Sequence, residues 1–579
     1  MESIFYSLNT LADILGTSVA TIQKWGDSGV YPLQKDDKGR DGFMSQDLMQ
    51  IDAIRDMNDG KWYEEIQSKP NRIFTSVELF AGAGGLALGL EMAGFKHVLL
   101  NEFDEHACNT LRANKPDWNV LEGDIHNIDF TPLRDKIDFL SGGFPCQAFS
   151  YAGKKGGLND TRGTLFFELA RAVNEIRPKV FLCENVKGLQ SHDGGKTLEI
   201  IRNAIKELGY TLIEPKVLKA IMYQVPQKRE RLILVAIRND YADKVSFKWP
   251  SPYHRVMTLR DAFFKGELFP TDVPESLGQL YPEKKQRVME MVPEGGDWRD
   301  LPVEEQKAYM GGSFYLGGGK TGMARRLSMD EPSLTLVCSP AQKQTERCHP
   351  TETRPLNIRE YARIQTFPDY WKFMGKMSDQ YKQIGNAVPV NLAYAIGRAL
   401  IRLLNDIDNV CPNKENFTEA NKIAKSMLPS RPLQLDLFTL LEQYQDGVLA
   451  EPKKSYKSYW KNLLISLVTD KLSKEFDESK GILYYTGSKF PSTISLQKLQ
   501  LFVPYIKGKG IRDLYRITKI RVASKREVDV KAKENDYRVF FDLKFIRKIF
   551  DDYQPINLDI WRTYNYSSLE KILDSRQCN

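Results

Sequence analysis

Between residues 74 and 237, short apolar runs alternate with longer segments of helical spacing. Residues 77–80, 98–101, 137–140, 180–183 and 232–237 read as buried strands, each bounded by Gly, Pro or charged turns. Strands and helices that alternate in this way predict an α/β domain built on a doubly wound parallel sheet. Ahead of it, Leu8, Leu11, Ala12 and Leu15 fall on one helical face, and Gly16 ends the pattern. Thr17 or Ser18 can cap a second helix carrying Val19, Ile22 and Trp25. Residues 1–70 therefore predict a separate small helical unit. From about 245 to 350 the rhythm gives way to Gly, Pro and charge, with Gly317-Gly318-Gly319 at the centre. Regular spacing returns at 357–365 and 390–404. Residues 406–431 read as a polar linker, and 432–579 as a further α+β domain with many Tyr, Phe, Lys and Arg.

The 579 residues are enough for several domains, each with its own core. No run of about 18 apolar residues predicts a membrane span. Met1-Glu2-Ser3-Ile4-Phe5 lacks the basic and apolar regions of a secretory signal, so a cytoplasmic protein is expected. Seven scattered cysteines suit a reducing compartment. Cys338, Cys348 and His349 match no zinc spacing and read as packing residues, so no metal site is expected. The 82 Lys and Arg against 75 Asp and Glu leave a net charge of +7, compatible with a polyanionic partner without requiring one.

Three polar signals each follow an apolar strand. Gly82-Ala83-Gly84-Gly85-Leu86-Ala87 fits the G-x-G-x-x-A turn that brings backbone close to a nucleotide. Glu102, about 20 residues on, ends the next strand where a carboxylate can bind ribose hydroxyls. Phe103 offers a ring to stack on adenine, and Asp124, in Gly123-Asp124-Ile125, an acceptor for its amino group. A dinucleotide and an adenosine-type methyl donor both satisfy this pattern. Gly142-Gly143-Phe144-Pro145-Cys146-Gln147 presents a thiol in a Gly/Pro turn, and Glu184-Asn185-Val186 a carboxylate. A lone cysteine is usually a small buried hydrophobe. Beside the other two signals, Cys146 reads as a nucleophile.

These segments, followed by Gln227-Lys228-Arg229-Glu230-Arg231, Arg354-Pro355-Leu356-Asn357-Ile358-Arg359-Glu360 and Gly385-Asn386-Ala387-Val388-Pro389, resemble the ordered motifs of cytosine-5 DNA methyltransferases. The resemblance implies a Rossmann-like class I methyltransferase domain at 74–245, an irregular target-recognition domain at 246–375 and a return to the catalytic domain at 376–405. It implies S-adenosylmethionine as cofactor, held by Phe80, Ala81, Gly82, Gly84, Gly85, Leu86, Glu102, Phe103, Asp124, Ile125, Pro145, Leu165, Asn386 and Val388. By the same resemblance the Cys146 thiolate adds to carbon 6 of a cytosine turned out of duplex DNA, Glu184 holds and protonates ring N3, and Arg231 contacts O2. Arg229 and Arg231 alternate on one strand and should share a face. Asn185 would hold the loop geometry. Gln147, Ser150, Arg162, Gln227, Thr335 and Leu336 are the expected DNA contacts, the last two because they resemble the Thr-Leu pair of target-recognition domains.

The implied activity is methylation of carbon 5 of cytosine in a specific duplex sequence, by an enzyme monomeric on DNA and either solitary or paired with a restriction endonuclease. Two rivals remain: a tRNA cytosine-5 methyltransferase with the same motifs, and a DNA-binding regulator that has lost catalysis. Residues 1–70 resemble a helix-turn-helix unit of the MerR kind, which implies autoregulation at an operator. Residues 432–579 leave open an accessory nucleic-acid reader, an inert extension, or a nuclease using Asp529, Asp542 and Lys544.

Overall fold

In the amino-terminal module, β1 (Phe5–Ser7) leads into α1 (Leu8–Leu15), where the Ser7 hydroxyl accepts from Thr10 N. Gly16, at φ 72°, ends α1 in the left-handed conformation that glycine adopts without strain. Ser18 caps α2 (Val19–Asp27) by accepting from Thr21 N. β2 (Gln34–Lys35) and β3 (Asp41–Met44) complete a three-stranded antiparallel sheet with β1, and α3 (Asp52–Asn58) and α4 (Trp62–Glu65) follow. The expectation of a separate unit is corrected by its packing. Leu11, Ile14, Ile22, Phe43 and Met57 share one apolar core with Ile221 and Val256. Three short strands bury too little surface alone, and residues of the larger body complete the core.

This computed structural model describes residues 3–144, 165–317, 320–412 and 416–428, and the strands of a carboxy-terminal unit. The chain divides into Met1–Arg431 and Pro432–Asn579. The central sheet of the first unit is built from β4 (Phe74–Leu79), β5 (Phe95–Glu102), β6 (Val120–Glu122), β7 (Phe139–Gly142), β8 (Val180–Val186), β9 (Tyr210–Leu212) and β10 (Lys216–Lys219). β11 (Gln227–Lys228) lies outside it and β12 (Glu230–Arg238) closes it. Its order is β10-β12-β8-β7-β4-β5-β6, with β9 also on β12. β8, β7, β4, β5 and β6 run parallel, with α5 (Gly85–Ala93), α6 (Glu105–Asn114), α7 (Leu165–Ile176) and α8 (Lys196–Glu207) between successive strands. β12, expected as one more parallel strand, is antiparallel to β8 and β10. Its connection from β10 is short, and a short connection suits an antiparallel pair.

Two glycines seat α5 on the helix Val390–Val410. A Cβ at Gly85 would strike the Val388 carbonyl, and one at Gly89 would lie 2.5 Å from Val390 O and Ala393 Cβ. Arg72 joins the sheet to the same helix, 2.6 Å from Asp138 and 2.5 Å from Asp408, with Lys179 between the same carboxylates. The helical stretch Met377–Val410 is long and apolar enough to cross a membrane, yet 83% of its most apolar window is buried inside the protein.

The expected linker is also corrected. The helix runs on to Val410, and a further helix, Phe417–Met427, buries Ala420 and Ala424 in the core that holds Val98 and Leu121. Residues 281–348 enclose a small core of their own around Tyr281, Met289, Val292 and Leu301. Leu356, Tyr361, Phe367 and Trp371 already pack with Leu88 and Leu111, so the chain rejoins the catalytic body before residue 376.

In the carboxy-terminal unit, strands 463–468, 476–477, 482–484, 501–506, 513–524, 537–548 and 564–567 form one seven-stranded sheet. Among the described residues of this unit, 463–468 and 501–506 pair in parallel and the other strand pairs are antiparallel. Strands are the elements described there, where α+β was expected, and Asp529 lies outside the described residues.

Gly89→Ala places a methyl group against backbone that side-chain rotation cannot clear. The substitution should lower the unfolding free energy of the first unit by about 1–3 kcal/mol, read as a fall in urea midpoint at unchanged slope.

Candidate active site

The order of the parallel strands reverses at β4. The chain builds β5 and β6 on one side and β7 and β8 on the other, and such a reversal of strand order is where open α/β sheets offer a crevice at the carboxyl ends of their strands. Past β4, Phe80 at φ 57°, Gly82 at φ 55° and Gly84 at φ 85° turn the chain sharply into α5. Phe80 pays strain that the glycines do not. Gly84 and Gly85 are needed for packing, since a Cβ would meet Leu111 and Trp371 or the Val388 carbonyl. Gly82 faces open space.

Glu102 ties this turn to the end of β5. One carboxylate oxygen accepts from Gly82 N at 2.7 Å, and the other from Phe103 N and Asp104 N at 2.8 Å each. The Phe103 ring is left 74% exposed beside it. After β6, Gly123 at φ 152° also faces open space. Asp124 accepts from His126, which holds its carboxyl below the usual range, and Ile125 is buried. Ala81 and Leu86 are buried, Leu165 is half-buried at the start of α7, Val388 is buried and Asn386 is exposed. Pro145, Cys146, Gln147, Ser150 and Arg162 lie outside the described residues.

The chain leading to Cys146 is anchored. Asn185 Nδ2 donates to Phe144 O at 2.9 Å, and Asn185 Oδ1 accepts from Val186 N at 2.8 Å. A Cβ at Gly143 would lie 3.0 Å from Glu184 Oε2, so the strand exit runs directly past that carboxylate. Glu184 sits opposite Ile233, and Arg231 two residues along shares its face. Arg231 Nε meets Glu184 Oε1 at 2.6 Å, with both side chains 12% exposed. This charged pair is oriented yet still open to a ligand.

Arg229 does not share that face. It lies in the break between β11 and β12, buried, and donates to the carbonyls of Leu336 (3.3 Å), Gly385 (3.1 Å) and Asn386 (3.5 Å). Burial, with Arg231 nearby, pulls it down to about 9. Gln227, expected at DNA, is also fully buried: it donates to Gln365 at 2.9 Å and accepts from Leu336 N at 3.0 Å. Leu336 is buried in the core, whereas Thr335 borders the same open cleft as Arg231. These polar groups point inward because segments distant in sequence meet here, and most of the inward donors and acceptors are matched, Arg229 Nε being left without a partner. Gln365, which also donates to Ile384 O and Ala387 O, was not singled out from the sequence. No local signal marks it, since Arg363 and Thr366 flank it in the same stretch.

A family model for C-5 cytosine-specific DNA methylase matches residues 74–402. The chain belongs to that family. It is 61% identical over 404 residues to the Type II methyltransferase M.Eco47II of Escherichia coli, across 70% of this chain and 97% of that one. Identity to M.PspPI of Psychrobacter sp. (strain TA137) is 60% over 401 residues, across 69% and 96%. Identity to M.Sau96I of Staphylococcus aureus is 49% over 346 residues, across 59% and 78%. The chain is thus a cytosine-specific DNA methyltransferase with the Rossmann-like fold of this family.

The two arginines of this DNA methyltransferase should separate stability from activity. Arg229→Met strands three buried carbonyls and should cost about 3 kcal/mol or more of unfolding free energy. Arg231→Met, at an open cleft, should cost less stability than Arg229→Met and more turnover per folded molecule. Denaturation and single-turnover methylation of both variants check the split.

Proposed function

We propose that this chain transfers a methyl group from S-adenosylmethionine to carbon 5 of a cytosine turned out of a specific duplex DNA sequence, through a covalent bond between Cys146 and carbon 6. The observation that carries the reading is the Arg231–Glu184 pair at 2.6 Å beside the anchored strand exit into Pro145-Cys146. Duplex DNA as substrate is supported by the Type II relatives M.Eco47II, M.PspPI and M.Sau96I.

The crevice fits the cofactor in its donor set and its space. Gly82 and Gly123 leave room for a ligand, Phe103 offers an exposed ring, and Glu102 and Asp124 offer carboxylate oxygens. Phe80, Ala81, Gly84, Gly85, Leu86, Ile125, Pro145, Leu165, Asn386 and Val388 would complete the walls. When bound, S-adenosylmethionine supplies an electrophilic methyl group.

The residues prepare the base to accept it. Cytosine carbon 5 is a poor nucleophile, and addition of the Cys146 thiolate to carbon 6 turns the ring into an enamine with electron density on carbon 5. Glu184 holds N3 and delivers a proton there as the thiolate adds, so the ring does not accumulate negative charge. Arg231 holds O2 and orients Glu184. Once carbon 5 carries the methyl group, its hydrogen leaves as a proton to solvent, the sulfur–carbon bond breaks to release the Cys146 thiolate and re-form the C5–C6 double bond, and the N3 proton returns to Glu184. Arg229 and Gln227 act as positioning residues, holding Leu336 and therefore Thr335 against the cleft.

Gln147, Ser150 and Arg162 are proposed DNA contacts, and Thr335 a contact on the recognition side. The protein works in the cytoplasm, as a monomer on DNA, with a cognate endonuclease as its functional partner. The two-helix arrangement of α1 and α2 supports a further reading, autoregulation at an operator, which a mobility shift of the full chain on DNA upstream of its operon tests.

Cys146→Ser should bind S-adenosylmethionine as the parent does and lose methyl transfer by on the order of 10³-fold or more. Turnover within about tenfold of the parent would exclude the covalent route.

A further inference from the structure

The amino-terminal module is fixed to the rim of the catalytic cleft. Lys219 Nζ, from β10, donates to the carbonyls of Asp13 at 3.0 Å and Ile14 at 2.8 Å in the last turn of α1. Lys228, the neighbour of Arg229, lies 2.7 Å from Asp13 and 3.3 Å from Glu331. Asn9 of α1 donates to the same Glu331 at 2.6 Å, and Lys38 of the β2–β3 turn pairs with Asp330. With Ile221 and Val256 inside its core, the module cannot turn away without exposing apolar surface and unpairing these charges.

This attachment puts the turn between α1 and α2 in the wall of the cleft. Gly16 and Thr17 border an open space of ≈ 460 Å³ together with Lys187, Arg231 and Thr335. From Thr17 an exposed polar stripe, Thr17, Thr21, Lys24 and Ser28, continues along α2 at intervals of a helical face. Ile22 and Trp25 turn the other way, into the module's core. The Thr17 and Thr21 hydroxyls and the Lys24 ammonium are donors suited to phosphate and groove contacts, whereas the Ser28 hydroxyl donates to Lys24 O. Asp27, which accepts from Gln23, borders the same surface hollow as Thr21, Lys24, Trp25 and Ser28, so one carboxylate stands at the edge of the stripe. At 1.5 Å per residue the stripe spans roughly 16 Å, or roughly 5 base pairs.

We infer that α2 engages the flank of the same duplex whose cytosine enters the active site, so that the amino-terminal module is a fixed extension of the substrate interface. This rests on the DNA-methylation reading above and adds where the module acts during it. A duplex placed on Arg231 and Thr335 has to pass this wall on one side, and the stripe offers that flank contacts beyond the reach of the catalytic body. Operator binding through the same face would then compete with methylation.

The test uses the full chain and duplexes centred on a cytosine that bisulfite sequencing shows it to methylate in unmethylated genomic DNA. One duplex carries short flanks of about 5 base pairs and the other flanks of about 20, longer than a helical turn. KM for the parent should fall tenfold or more from short to long flanks. In the Thr21→Glu, Lys24→Glu double variant that ratio should collapse towards one, and the dependence of KM on salt for the long duplex should lose about one unit of slope. A ratio and salt slope equal to the parent's overturn the inference. So does a variant whose only defect is binding to DNA upstream of its own operon. Absence of 5-methylcytosine in the genomic DNA would instead sink the underlying reading, and this inference with it.

Discussion

A buried guanidinium has to be met by oxygen, and this requirement organises the catalytic centre. Arg229 sits between two strands with its charge inside the protein, where only the carbonyls of Leu336, Gly385 and Asn386 meet it. Those carbonyls come from the recognition region and from the segment that returns to the catalytic body. One side chain thus joins two stretches of chain, at Leu336 and at Gly385, that lie 107 and 156 residues from it in sequence. Gln227 and Gln365 repeat the device one step away, joining Leu336 to Ile384 and Ala387. Leaving such groups unmatched costs more than forming the bonds returns, so the arrangement is close to all-or-none.

With that junction closed, the chemistry falls on its rim. Arg231 is only two residues from Arg229, yet it looks outward, pairs with Glu184 and borders open space. The contrast between an inward and an outward arginine arises from the break between β11 and β12, which ends the simple alternation of faces. On the other side of the sheet, Asn185 latches the exit of β7, and Gly143 lets that exit pass the Glu184 carboxylate. The cofactor crevice follows from the parallel strands themselves, whose carboxyl ends deliver Gly82, Glu102 and Asp124 to one edge.

Much of this was legible in the chain. Strands of the parallel sheet announce themselves as apolar runs because both faces are covered, and turns after them carry glycine where backbone needs positive φ. Glu102 and Phe103 were expected at a strand end and lie there, whereas Glu184 lies inside β8, which runs on to Val186. The direction of β12, the burial of Gln227 and Leu336, and the inward turn of Arg229 were not readable. Each depends on which distant segment lies across from it, and no local pattern encodes that. The amino-terminal module looked separate for the same reason: α1 and α2 have the periodicity of an independent unit, but Ile221, Val256, Lys219 and Lys228 complete it from far along the chain. The helix Phe417–Met427 was missed because a mostly polar segment can still bury two alanines.

The central claim is that this site methylates carbon 5 of cytosine in duplex DNA. Incubation of the full chain with methyl-labelled S-adenosylmethionine, unmethylated genomic DNA and, in parallel, bulk tRNA tests it most directly. The account predicts label in the DNA, recovered after hydrolysis as 5-methylcytosine, and none in the tRNA. Label confined to tRNA, carried on an exocyclic amino group, or absent from both would contradict it.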